Sequence, residues 1–238
     1  MTTVLPNETT DLDPTKTSAT ETSPTKISRR AIAVRRGFLI ACPVLAGAFA
    51  VVGAIADPAS GHAGEEMMKV YIANPDPLQW KSTGYHWAYA FWIAPALLLA
   101  ASVRGKGAWL ANVAALLGFA GMVTLPGMLM IDWVQSGVGQ LYGLDATIAL
   151  DNHMMATMWG PKGFMIAGMA GFLLGLPLAI AAQWRAGRMR WWALAATVAA
   201  YVVFFVGQST WWACALAAAF LGVLAVAIAR STAPAPRT

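Results

Sequence analysis

The lysines and arginines of this chain occupy the gaps between long apolar runs, and they concentrate in every second gap. Apolar stretches cover residues 37–56, 86–103, 108–131, 163–183, 191–206 and 211–229. If these runs cross a bilayer in alternation, all but three of the sixteen basic residues fall on one side. That side holds the N-terminal segment through Arg36, then Arg104 and Lys106, then Arg185, Arg188 and Arg190, and finally Arg230 and Arg237. Lys69, Lys81 and Lys162 fall on the other side, with seven of the eleven acids. Short cytoplasmic loops carry an excess of Lys and Arg. The pattern therefore predicts an all-α, polytopic membrane helix bundle of six transmembrane helices, with both termini cytoplasmic.

Composition agrees. The chain is 58% hydrophobic and 11% charged, whereas charged residues make up about a quarter of a soluble domain. The net charge of +5 does not point to nucleic acid, because the basic residues are short clusters flanking apolar runs. Anchoring to anionic lipid of the bilayer explains them. Cys42 and Cys214 both fall inside predicted spans, so neither a disulfide framework nor a thiolate metal site can be read from them. Residues 1–28 are rich in Thr, Ser and Pro, and residues 231–238 read alike. Such segments bury too little apolar surface to offset their chain entropy. The expected organisation is a disordered tail with a basic flank over 1–36, a transmembrane domain over 37–230 and a disordered tail over 231–238.

The first run poses a choice between anchor and signal. Ala54-Ile55-Ala56 has the shape of a signal-peptidase site, and Arg29-Arg30 has that of a twin-arginine signal. Yet 37–56 is long enough to span a hydrocarbon core of about 30 Å, longer than a signal h-region, and an uncleaved anchor is the expectation. The box Leu39-Ile40-Ala41-Cys42 follows Arg36 too closely to be a lipoprotein cleavage site. Between Arg190 and Arg230 lie 39 uncharged residues. One helix of that length would measure about 58 Å, beyond any bilayer core. The chain must turn back, at Gly207-Gln208-Ser209-Thr210. Pro126 predicts a kink near the outer end of the third span; Pro95 and Pro177 lie within two others. Most of the eleven Trp residues fall at span boundaries, as in an aromatic belt.

Any site is expected on the outer loops, 57–85 and 132–162. His86 at the head of the second span and Asp132 at the end of the third should reach the same level. Asp145 is a plausible N-cap for a helix running to about Met158. On it Leu144, Ile148, Met155, Met158 and Trp159 form an apolar stripe that includes Asp151. An acid on a buried face is an uncomfortable residue and so a candidate site. His86, Asp132 and Asp151 are the candidate polar cluster; the alternative is three separate, solvated residues. His153, Met154, Met155 and Met158 offer soft and borderline donors for a metal such as Cu(I), although Met is also a filler of irregular apolar gaps. Gly137 and Gly139 lack the strand-to-helix setting of a nucleotide loop.

In layout, the chain resembles small Ala/Leu-rich six-span integral membrane proteins of high-GC bacteria. The residues that carry the resemblance are the anchor 37–56 ending in Asp57-Pro58, the phrase Asn74-Pro75-Asp76-Pro77-Leu78-Gln79-Trp80, His86 and Asp132. It covers most of residues 37–230 and implies a multi-pass protein of a bacterial plasma (inner) membrane. The family is uncharacterised, so the resemblance carries over no activity and no functional residue.

Three functions follow as expectations. The first is a non-catalytic accessory or partner-binding membrane protein, whose partners are the lipid bilayer and other membrane proteins. Its basis is the lack of reaction motifs and of charges deep within a span. The second is a small permease or channel, suggested by the proline-bearing spans. The third is a metal- or haem-handling protein using the outer His, Asp and Met residues. The sequence names no cofactor.

Overall fold

The basic flank is already helical. In the computed structural model, which describes residues 29–232, helix α1 runs Arg29–Ala56 without a break at Gly37. The segment 1–28 and residues 233–238, where most of the two expected tails fall, lie outside the described residues. Helices α2 (Gly64–Ala73) and α3 (Pro75–Ala100) follow, then α4 (Ala108–Met128), α5 (Met130–Tyr142) and α6 (Leu144–Thr157). The last three are α7 (Trp159–Arg185), α8 (Trp191–Val206) and α9 (Trp211–Ser231). The described residues contain no strand.

Four stretches are long and apolar enough to cross a membrane: Arg30–Ala56, Ala108–Tyr142, Trp159–Arg185 and Trp211–Ser231. They mark the chain as a membrane protein. Helix α8 is apolar but has only 16 residues, about 24 Å at 1.5 Å per residue. Helix α3 is long enough, but Asp76, Lys81 and His86 dilute its N-terminal half.

The six long helices close into a ring, in the order α1, α3, α4, α7, α8, α9 and back to α1, with α3 also touching α7. Small residues let the backbones approach. A Cβ added at Gly84 would stand 2.7 Å from the Gly53 backbone, which fixes α3 against α1. Between α4 and α7, Gly121 and Gly171 face each other so closely that a Cβ at Gly171 would collide with the Leu117 carbonyl oxygen. Close approach through small residues is how helices associate where lipid removes the hydrophobic drive.

Aromatic side chains fill the middle of the ring. Trp92, Phe172 and Phe204 are fully buried. The Phe172 ring centroid lies 5.2 Å from Trp92 and 5.0 Å from Tyr201, with steeply inclined planes. The Tyr201 hydroxyl donates to the Phe172 carbonyl at 2.6 Å, whereas the buried Trp92 Nε1–H has no hydrogen-bond partner among the described residues.

The turns sort by charge. Arg36 of α1 reaches the end of α9, and Arg188 after α7 reaches the end of α3. The basic segments therefore meet at one end of the bundle. At the other end, the Tyr85 hydroxyl donates to the Ser209 carbonyl at 3.0 Å, on the turn between α8 and α9. That turn falls at the polar quartet, with Gln208 and Ser209 both at positive φ.

Candidate functional site

Asn74-Pro75-Asp76 starts α3 well before the expected span. Proline suits the first helical position because it lacks only an N–H that has no partner there. Residues 75–85 are therefore helix, and His86 sits about three turns inside α3 instead of at its head. Much of segment 57–85 is thus helical, with α2 folded over the end of the bundle opposite the basic turns. Ala59, Tyr71 and Leu78 form a small apolar core beneath it.

The second outer segment is helical as well. Pro126 breaks the apolar stretch Ala108–Tyr142: α4 ends at Met128, and the Leu129 N–H turns to the Pro126 carbonyl at 3.3 Å. Helix α5 continues the chain from there, with Asp132 in its first turn. Gly143, at positive φ, ends α5 and opens α6. Asp145 is accordingly not the N-cap. It lies in the first turn of α6, where a negative charge meets the positive end of the helix dipole.

The three candidate residues divide among three separate contacts. Asp132 Oδ2 accepts from Lys81 Nζ at 2.7 Å and from Ser82 Oγ at 3.0 Å. His86 Nδ1 lies 3.1 Å from the Pro126 carbonyl oxygen. A carbonyl only accepts, so Nδ1 is the donor in this contact. Asp151 Oδ1 accepts from Gln135 Nε2 at 2.8 Å. No hydrogen bond or ion pair among the described residues joins His86, Asp132 and Asp151 to one another.

Lys81, which falls in the expected outer loop 57–85, lies on α3. It is buried, and its ammonium stands 4.7 Å from the centre of the Tyr71 ring. The Tyr71 hydroxyl in turn donates to Asp57 Oδ1 at 3.4 Å. Burial works against the ammonium, but Asp132 and Tyr71 outweigh it, so the Lys81 pKa stands above the ordinary lysine value. The spacing Leu78, Lys81, Ser82, Tyr85 is that of one helix face, and it identifies Lys81 as inward-facing once 75–85 is read as helix.

The cap is pinned by further polar contacts. Ser136 Oγ donates to the Tyr71 carbonyl at 3.0 Å, and Thr147 Oγ1 to the Gln135 carbonyl at 3.2 Å. Thr147 is fully buried and Asp151, one turn on, half-buried. The expected stripe on α6 is thus rotated: Thr147 leads the buried face, while Met155, Met158 and Trp159 are exposed. Of the expected metal donors, only Met154 turns inward, towards an apolar hollow of about 370 Å³ with Met130 and Phe164. His153, Met155 and Met158 are exposed. No group of three or more His, Cys, Asp or Glu among the described residues is placed to hold a metal ion.

A shallow hollow of about 450 Å³ opens between α3 and α5, lined by Gln79, Thr83, Trp133, Ser136 and Gln140. No family model matches the chain, and neither a curated protein nor a solved structure does.

Proposed function

We propose that this is a six-span protein of a bacterial inner membrane, with both termini cytoplasmic, that works by packing against other membrane proteins. The topology rests on the basic turns meeting at one end of the bundle while the acids gather at the other. Helices α3 and α8 complete the six, as members of the same ring as the four more apolar stretches.

The observation that carries the functional reading is the aromatic layer. A transport path through this ring would have to pass Trp92, Phe172, Tyr201 and Phe204, which are packed against one another. The buried charge pair supports the same reading. A lysine used as base or nucleophile needs its pKa lowered, and Lys81 is shifted the other way, as a clamp requires. Outward, Leu116, Phe119 and Val123 form an exposed stripe on α4, a face suited to an apolar transmembrane helix of a partner.

Mild-detergent purification tests the proposal. It expects a stoichiometric membrane partner that is lost when Leu116, Phe119 and Val123 are replaced together by Ala. A monomeric particle without bound protein, or solute flux through vesicles containing the pure chain, would overturn it.

A further inference from the structure

The basic end of the bundle carries two adjoining hollows. The first, of about 370 Å³, lies between the start of α1, the end of α3 and the turn after α7. Arg35, Arg36, Arg104 and Arg188 line it, with Ser102 and Thr232. The second, of about 320 Å³, shares Arg188 and Ser231 with the first and adds Arg190 and Arg230. All seven acids among the described residues belong to the opposite end, so no carboxylate of residues 29–232 neutralises this cluster.

The walls are held by internal bonds. Arg36 Nε donates to Thr232 Oγ1 at 3.2 Å, and its Nη2 to the Ala229 carbonyl at 3.1 Å. Arg188 Nη1 donates to the Ser102 carbonyl. Buried Gln183 donates to the Leu99 carbonyl at 2.8 Å and to Ser102 Oγ at 2.6 Å. A guanidinium has five N–H donors, so these bonds orient Arg36 and Arg188 and leave further donors for a ligand. Leu39 and Leu98 line the apolar part of the first hollow.

We propose that the paired hollows bind an anionic phospholipid through its phosphates, and that a lipid with two phosphates on one glycerol bridge occupies both, with Arg188 between them. Arginine pairs with phosphate through two parallel N–H bonds, and basic pockets between membrane helices are suited to phosphate head groups. Each hollow brings arginines of its own in addition to the shared one. Leu39 and Leu98 favour a ligand with acyl chains over free phosphate, which has the same head-group chemistry. The inference rests on membrane insertion, and not on which end faces the cytoplasm or on a protein partner.

The test uses the full chain in neutral detergent. Binding of diphosphatidylglycerol, phosphatidylglycerol, phosphatidylcholine and inorganic phosphate is measured by native mass spectrometry and by competition. The expected result is one diphosphatidylglycerol per chain, held about tenfold tighter than phosphatidylglycerol at equal phosphate concentration. Phosphatidylcholine should not bind, and inorganic phosphate should not displace the lipid. Arg35→Gln with Arg104→Gln, and separately Arg190→Gln with Arg230→Gln, should each weaken binding about tenfold or more. None of these four side chains makes a hydrogen bond or salt bridge among the described residues, so both variants should melt as the parent does. Equal affinity for the two anionic lipids would overturn the proposal. So would binding unchanged in either variant, or displacement by inorganic phosphate at the lipid's own concentration, which would assign the site to a free anion.

Discussion

Lys81 and Asp132 are 51 residues apart in sequence and 2.7 Å apart in the fold, with both side chains largely shielded from solvent. The pair joins α3 to α5 just beyond the break between α4 and α5 at Leu129. It is thus placed to fix the outer cap on the bundle.

Breaking one side of this pair should be costly. Asp132→Ala or Lys81→Ala leaves a buried charge without its partner, and each should lower stability by about 3–5 kcal/mol. The apolar double variant Lys81→Met with Asp132→Leu should recover most of that loss. Unfolding of the parent, the matched singles Lys81→Met and Asp132→Leu, and the double variant in mixed micelles measures the coupling; additive losses in the double variant would show that the two residues act independently.

The pair also sets a pH dependence. The folded pKa of Lys81 is raised above its unfolded value, so its stabilising contribution is complete below the unfolded pKa. It drains away as pH rises through the folded one. The stability gap between the parent and Lys81→Met should therefore stay flat through the neutral range and narrow only above about pH 10.4. A gap that already closed near neutral pH would contradict the assignment.

Helices α4 and α7 meet through bare backbone. Gly171→Ala should cost about 1–3 kcal/mol, because the added methyl group meets the Leu117 carbonyl oxygen and the Gly121 backbone. Gly127→Ala, with open space around its Cβ position, is the matched control and should be nearly neutral. Thermal unfolding of the two variants checks the contrast.

Phe172 touches Tyr89, Trp92, Tyr201 and Phe204 at once. Phe172→Ala should cost about 3–5 kcal/mol by opening a cavity in the aromatic layer. Phe172→Leu should cost less because it keeps more of the volume. A near-neutral Phe172→Ala would mean that the layer is loosely packed.

The helical class and the grouping of basic turns were legible in the charge pattern, because lysine and arginine avoid one side of a bilayer whatever the tertiary contacts. The hairpin at Gly207–Thr210 was legible from length alone, since 39 uncharged residues cannot form a single crossing. The break near Pro126 was legible from the missing backbone donor. The outer site was not. The burial of Lys81 depends on α5 folding back over α3, a contact between residues far apart in sequence that no local period reports. Reading 57–85 as a loop hid the helix that Asn74-Pro75-Asp76 begins, and so hid the face that Lys81 shares with Leu78 and Tyr85. Asp151 is half-buried beside the face that Thr147 leads, and its partner Gln135 lies on α5, within the expected outer loop 132–162.

Cysteine accessibility tests the central topology most directly. Cys42 and Cys214 are first replaced by Ala; both are buried. Single cysteines are then placed at Gly143, between α5 and α6, and at Lys106 and Arg188, on the basic turns. A maleimide that does not cross membranes is applied to intact and to permeabilised cells. Labelling at 143 in intact cells, with 106 and 188 labelled only after permeabilisation, is the predicted result. Labelling of 106 or 188 in intact cells, or of 143 only after permeabilisation, would contradict a six-span bundle with its basic end in the cytoplasm.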